Sequence, residues 1–211
     1  GYDGKGQAKI LKRGDAEAAW TAMRGQPSIL ESFVNFRAEV SVVAARAVDG
    51  TFRAFDVTEN EHRNHILHRS VAPAAVAPDV ASEAIAIAQK IAENLDYVGV
   101  FAIEFFLVPE NGRDRLFVNE MAPRVHNSGH WTMDGALTSQ FEQHIRAVAG
   151  LPLGDPSRHS DCVMTNLIGD DIDSVPAWLG RSNVLVHLYG KTEARPGRKM
   201  GHVTEIMSIK A

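Results

Sequence analysis

Between residues 78 and 95 the apolar positions return every three to four residues. Val80, Ala84, Ile87, Ile91 and Leu95 then share one side of a helix, with Asp79 or Ser82 placed to cap its start. Residues 138–149 predict a second helix, stopped by Gly150 and Pro152. A shorter helix is expected through residues 15–20. Elsewhere the apolar positions alternate or run together. Residues 28–34, 39–48, 51–58, 98–108 and 115–121 predict strands, as do shorter runs around 163–168, 184–189 and 203–209. Asp49-Gly50 predicts one hairpin turn and residues 109–114 another. Residues 59–69 are polar and carry His62, His65 and His68, which predicts a loop. Paired strands with separate helices predict an α+β fold.

Composition narrows the class. The 211 residues are 45% hydrophobic and 23% charged, the balance of a globular protein with a substantial core. Twenty-two basic residues against 26 acidic ones leave a formal charge of −4, so no broad nucleic-acid surface is expected. Cys162 is the single cysteine; it excludes an internal disulfide framework and fits a reducing, cytoplasmic compartment. No apolar run approaches the roughly 20 residues that span a bilayer, and no signal peptide opens the chain, so no membrane partner is expected. The sequence begins at Gly1, inside a glycine-rich motif and without an initiator methionine, and a longer parent protein is expected.

Glu104 stands in the middle of an otherwise apolar run. A lone buried carboxylate is costly unless it finds a partner. A simple hairpin around Gly112 sets Leu107 opposite Phe117 and Glu104 opposite Glu120. Carboxylates directly opposite each other repel, so the pattern calls for a cation between them or a shared proton. A hard divalent ion, Mg²⁺, suits the pair, with phosphate oxygens completing its shell and Asn119 adding a neutral oxygen. The competing reading is a bulge that turns the two acids to different faces, one of them paired with Arg124.

The next residues, Arg124-Val125-His126-Asn127-Ser128-Gly129-His130-Trp131, set a guanidinium, two histidines and an amide beside that strand. Arginine offers a planar fork of donors suited to a small anion or an acyl phosphate. A zinc site at His126 and His130 is the alternative, but zinc wants a third protein ligand and none stands at a telling spacing. The opening run, Gly1-Tyr2-Asp3-Gly4-Lys5-Gly6-Gln7, could cradle phosphates through backbone N–H groups, although it lacks the Walker A spacing. Near the other end, Lys191, Arg195, Arg198 and Lys199 lie in a basic loop that Pro196-Gly197 makes compact. It is either a solvated surface or a set of cations aimed at one phosphate.

Taken together, GYDGKGQ (1–7), ESFVNFRAE (31–39), Glu104 with Asn119-Glu120, RVHNSGHWT (124–132) and RPGRKMGH (195–202) resemble the N5-carboxyaminoimidazole ribonucleotide synthetase family of ATP-grasp enzymes. The likeness runs from residue 1 to about residue 202, with the motifs in family order. It implies the C-terminal part of an ATP-grasp fold, an antiparallel sheet flanked by helices. Residues 1–32 would be the remainder of the lid subdomain, 33–150 the catalytic domain and 151–211 its C-terminal part with the basic loop. The implied activity is that of a purine-biosynthetic ligase. ATP phosphorylates bicarbonate to carboxyphosphate, and this intermediate, or CO₂ released from it, carboxylates the exocyclic amine of 5-aminoimidazole ribonucleotide. ADP and phosphate are released.

The same resemblance assigns roles. Gly1, Tyr2, Asp3, Gly4, Lys5, Gly6 and Gln7 cover the nucleotide phosphates, with Tyr2 and Asp3 also facing the aminoimidazole. Glu31, Ser32, Phe33 and Val34 hold adenine, Glu39 binds the ribose hydroxyls and His62 adds a nucleotide contact. Glu104 and Glu120 bind Mg²⁺, with Asn119 alongside. Arg124, His126 and Asn127 form the bicarbonate and carboxyphosphate pocket, while Lys191, Arg198 and Lys199 anchor the ribonucleotide phosphate with Arg195 beside them. The family pattern places a further domain and the first part of the ATP lid ahead of Gly1, so the chain alone is not expected to turn over. A homodimer is also implied. Another ATP-grasp ligase with a different acceptor, and a non-catalytic nucleotide-binding module, remain beside this reading.

Overall fold

The computed structural model describes residues 6–209. They divide into two units, one ending at Val34 and one beginning at Asn35. In the first unit a single 3-10 turn, Arg13–Asp15, leads into helix α1 (Ala16–Ala22). Asp15 ties down this turn, its Oδ2 accepting from the backbone N–H groups of Leu11 and Lys12 at 3.1 Å. The strand expected at residues 28–34 does not form. No strand pairs with it among the described residues, and Ile29 and Leu30 are 88% and 84% exposed. An apolar run becomes a strand only where another strand satisfies its backbone.

In the second unit nine strands among the described residues form one antiparallel sheet. They are β1 (Ala38–Arg46), β2 (Phe52–Ala54), β3 (Thr58–Arg63), β4 (Ile66–Ala72), β5 (Gly99–Glu110), β6 (Arg113–Ala122), β7 (Asp161–Ile168), β8 (Val184–Leu188) and β9 (Lys199–Met207). Their order across the sheet is β6-β5-β1-β3-β4-β7-β9-β8, with β2 paired to β1. The helices are α2 (Pro78–Asn94), α3 (Thr132–Gly135), α4 (Gln140–Val148) and α5 (Val175–Leu179). This is the expected α+β arrangement.

Side chains alternate across the sheet. On one face Val42, Ala44, Phe101, Ile103, Phe105 and Leu107 pack against α2. The helix buries Val80, Ala84, Ala88 and Ala92, while Ile87 and Ile91 flank that row and Leu95 is exposed. Small residues at i, i+4 spacing let the helix close on the sheet, so the buried line runs through the alanines rather than the larger isoleucines. Neither Asp79 nor Ser82 caps it; Ala77 is the N-cap and Pro78 opens the helix, as suits a residue without an N–H. On the other face Val43, Ala45, Val100 and Ala102 pack with Phe55 and Trp131, whose rings meet edge to face at 6.3 Å. There α4 starts at Ser139, whose hydroxyl accepts from Glu142 N, and it is followed by Gly150 at φ +69°.

Two stretches differ from expectation. Residues 51–58 do not make one strand: the chain leaves the ladder after β2 and re-enters as β3. Residues 59–69 are not a loop but most of the β3–β4 hairpin, turned by Asn64 and His65 at φ 50° and 62°. Thr58, Asn60 and Ser70 of this hairpin are buried and polar, and Leu67 and Ala72 are its only buried apolar residues, so no clear hydrophobic alternation betrays it. Its positive-φ turn also lacks the glycine that usually marks one.

The β5–β6 hairpin turns at Asn111 and Gly112, at φ 51° and 77°. Near the turn Leu107 faces Leu116, not Phe117 as a simple hairpin would have it. Asn119 is then an extra residue in β6, and the shifted ladder sets Glu104 opposite Glu120.

Candidate active site

The sheet face opposite α2 carries the acids. Glu104 lies between Ser41 on β1 and Glu120 on β6, and Glu39 lies between Asn60 and Phe106. The bulge at Asn119 therefore keeps the two glutamates on one face. Glu104 is mostly buried, and its Oε1 lies 3.2 Å from His126 Nε2. Burial, and then the charge of Glu120, hold its carboxyl above the usual range. Glu120 and Asn119 lie exposed on the edge strand.

His62 Nδ1 and Glu39 Oε2 are 2.6 Å apart. Burial pulls the His62 pKa down, but its hydrogen bond to Glu39 and the charges of Glu39 and Glu104 outweigh that and raise it. His62 thus leans toward its charged form between two carboxylates.

The loop after β6 is held from beneath by Gln140, which is fully buried. Its Oε1 accepts from His126 N at 2.9 Å, and its Nε2 donates to His126 O at 2.7 Å and lies 2.9 Å from His130 Nδ1. A Cβ on Gly129 would lie 2.9 Å from Gln140 Oε1 and 3.0 Å from Val43 Cγ2, so the loop can pass only as glycine. Arg124 Nη1 donates to Val125 O at 2.9 Å. Burial, with the charges of Arg124, Lys199 and His62, pushes the His126 pKa down to about 3, and a similar environment pushes His130 down to about 4. Both rings are neutral at physiological pH.

Asn127 Oδ1 accepts from Asn166 Nδ2 at 2.7 Å and from Lys199 Nζ at 2.5 Å, and Asn127 Nδ2 donates to Asn166 Oδ1 at 3.0 Å. Lys199 opens β9, and its amine is pushed down to about 8, chiefly by burial, against the opposing pull of Glu104. The basic loop therefore divides. Lys199 joins the Asn127 group, and Lys191 Nζ donates to Lys199 O at 2.5 Å. Arg195 pairs with Glu193 at 2.6 Å, and Arg198 Nη1 donates to Glu193 O at 3.1 Å.

Gly1, Tyr2, Asp3, Gly4 and Lys5 lie outside the described residues. Gly6, Gln7, Glu31, Ser32 and Phe33 are exposed in the first unit, with Val34 half-buried at its end. The zinc alternative finds no support. Both ring nitrogens of His126 and Nδ1 of His130 already have partners. Among the described residues the metal-type donors that converge are Asp134, His187 and His202, within 4.8 Å of one another. There the His187 and His202 rings stack at 4.7 Å and 17°, and His187 Nε2 is bonded to Asp134. Stacked rings cannot both aim an in-plane lone pair at one ion, so this is a hydrogen-bonded Asp134–His187 pair under a stacked ring.

Sequence reasoning missed Ser41, Asn60, Ser70, Ser128, Gln140 and Asn166. The available signal was polar residues at alternate positions of one strand, as in Glu39 and Ser41 or Asn60 and His62.

Among the described residues no helix is long and apolar enough to cross a membrane. Residues 1–141 match the family model of the ATP-grasp domain, and residues 162–210 match that of the phosphoribosylaminoimidazole carboxylase C-terminal domain. The chain is 55% identical over 208 residues to the N5-carboxyaminoimidazole ribonucleotide synthase of Brucella melitensis, an alignment covering 98% of this chain and 57% of that protein. The crystal structure of N5-carboxyaminoimidazole ribonucleotide synthetase from Thermus thermophilus superimposes with a TM-score of 0.87 at 46% identity, covering 95% of this chain and 54% of that one. The enzyme from Aspergillus clavatus, solved with ADP and 5-aminoimidazole ribonucleotide, gives a TM-score of 0.87 at 30% identity, covering 93% and 54%. The chain spans about half the length of these relatives. With its helix-flanked antiparallel sheet and this match over residues 1–141, the chain belongs to the ATP-grasp family.

Proposed function

We propose that this chain is the part of an N5-carboxyaminoimidazole ribonucleotide synthetase that handles the metal and the carboxyl group. The whole enzyme would carboxylate 5-aminoimidazole ribonucleotide with bicarbonate and ATP. The observation that carries the reading is Glu104 opposite Glu120 on the face where His126 meets Glu104.

Moving a phosphoryl group onto bicarbonate brings several anions together, and catalysis rests on positioning and charge stabilisation. The two carboxylates suit a hard, oxygen-ligated ion, and the raised pKa of Glu104 marks a site where a cation is wanted. Glu104 and Glu120 would hold Mg²⁺ with Asn119 alongside, and the bound ion would neutralise phosphate charge. Glu39 would take the ribose hydroxyls while paired to His62. Arg124, His126 and Asn127 would hold bicarbonate and then carboxyphosphate; neutral His126, whose ring nitrogens meet Ser128 and Glu104, would wall that pocket without bringing a charge of its own. A buried pocket also keeps water from a labile acyl phosphate. Lys199 stands against Asn127, so its amine would serve the carboxyl pocket as well as the ribonucleotide phosphate. Lys191, Arg198 and Arg195 would complete the phosphate anchor. Residues 1–7 would cover the nucleotide phosphates and residues 31–34 would hold adenine. A homodimer in the cytoplasm rests on family likeness alone.

The test is ADP release by the protein that carries this chain. Turnover should require 5-aminoimidazole ribonucleotide, bicarbonate and Mg²⁺ together. Turnover with another amine, and none with this one, would refute the reading.

A further inference from the structure

A chain of buried hydrogen bonds runs beneath the proposed metal acids. Ser70 Oγ donates to Asn60 Oδ1 at 2.8 Å, which turns the Asn60 amide nitrogen toward Ser41 Oγ, 2.9 Å away. Ser41 Oγ donates to Ser128 Oγ at 2.7 Å, and Ser128 Oγ lies 2.8 Å from His126 Nδ1. Ser41, Ser70 and Ser128 are fully buried, and Asn60 and His126 nearly so.

The direction of each bond follows from donor chemistry. An amide NH₂ can only donate, so Ser41 accepts from Asn60 and keeps its own proton for Ser128, while His126 Nδ1 also accepts from the backbone N–H of Ser128 at 3.4 Å. Ser128 then has its proton left for His126 Nδ1. A neutral imidazole carries one N–H, and with Nδ1 accepting, that hydrogen sits on Nε2, 3.2 Å from Glu104 Oε1. The other tautomer would set a lone pair against a carboxylate.

We propose that Ser41, oriented by Asn60 and acting through Ser128, is a positioning residue that fixes His126 as its Nε2–H tautomer and thereby holds Glu104 by one oxygen. The other oxygen of Glu104 is then left for the metal, a step that rests on the function proposed above. Residues behind a metal ligand commonly act in this way.

Two-bond ¹H–¹⁵N correlation spectra of the chain labelled with ¹⁵N-histidine read the tautomer directly, without substrate. The wild-type chain should show His126 with a bare Nδ1 and a protonated Nε2. Ser41→Ala should lose that preference, and Ser41→Thr, which keeps a hydroxyl, should restore it. Protonated Nδ1 in the wild-type chain overturns the proposal whether or not a variant folds, as does an unchanged pattern in Ser41→Ala. Mg²⁺ added to the same samples should bind roughly tenfold more weakly to Ser41→Ala than to wild type. If the tautomer responds while Mg²⁺ leaves the His126 signals untouched, the functional reading fails and the hydrogen-bond assignment stands.

Discussion

Glu104 and Glu120 face each other because Asn119 is inserted between Val118 and Glu120. A regular ladder from the Gly112 turn would set Asn119 opposite Glu104 and send Glu120 to the α2 face. The bulge corrects the register by one residue and places two negative charges side by side. Repulsion of that kind persists where something else gains from it.

Glu120 is the cleaner of the two acids to test, since it is exposed on an edge strand. Glu120→Gln should cut Mg²⁺-dependent ADP formation roughly a hundredfold, by analogy with lost metal contacts elsewhere. Its unfolding midpoint should match the parent. Undiminished activity would remove the metal assignment.

Gln140→Leu keeps the volume of a buried side chain but strips three hydrogen bonds from His126 and His130. Leaving a buried N–H and C=O unpaired should cost about 3 kcal/mol. Urea denaturation measures this, and a loss under about 1 kcal/mol would show that the loop finds other partners.

Acid should weaken the fold through its buried rings. His126 and His202 are pushed down to about 3 and His130 to about 4, chiefly by burial. In the unfolded chain these groups titrate near about 6.5. As pH falls below that value the unfolded state binds protons that the folded state refuses, so stability drops. Each histidine adds a slope of up to about 1.4 kcal/mol per pH unit. Urea titrations at several pH values between neutrality and the folded values should show it; a flat profile would mean the rings are solvated.

His62 works in the opposite sense. Its folded pKa lies above the unfolded one, so its pairing with Glu39 is fully present below about pH 6.5 and is lost as pH rises through the raised value. Glu39→Gln should lower the His62 pKa below the ordinary histidine value, because burial remains after the carboxylate is gone. An NMR titration of the His62 ring would follow it. No shift would place the interaction elsewhere.

The long helix and the hairpin turn at Asn111-Gly112 were legible because periodicity and turn chemistry act within a few residues. The strand expected at residues 28–34 was not, since its apolar run has no paired strand among the described residues. Residues 59–69 were illegible for the converse reason: Leu67 is their one buried apolar side chain beside the polar Asn60, and backbone pairing with β1 and β7 makes them strands.

Sequence alone determined which chemistry the chain carries: two acids in one hairpin, the loop from Arg124 to Trp131, and the motifs of one enzyme family. Tertiary structure decided how those groups are used. It corrected the hairpin register through Asn119, drew Lys199 from a basic loop onto Asn127, and aligned Asn60, Ser41 and Ser128 behind His126. The Lys199–Asn127, Asn60–Ser41 and Ser41–Ser128 bonds join residues far apart in the chain, and a hydrogen bond strengthens when the fold has buried both partners.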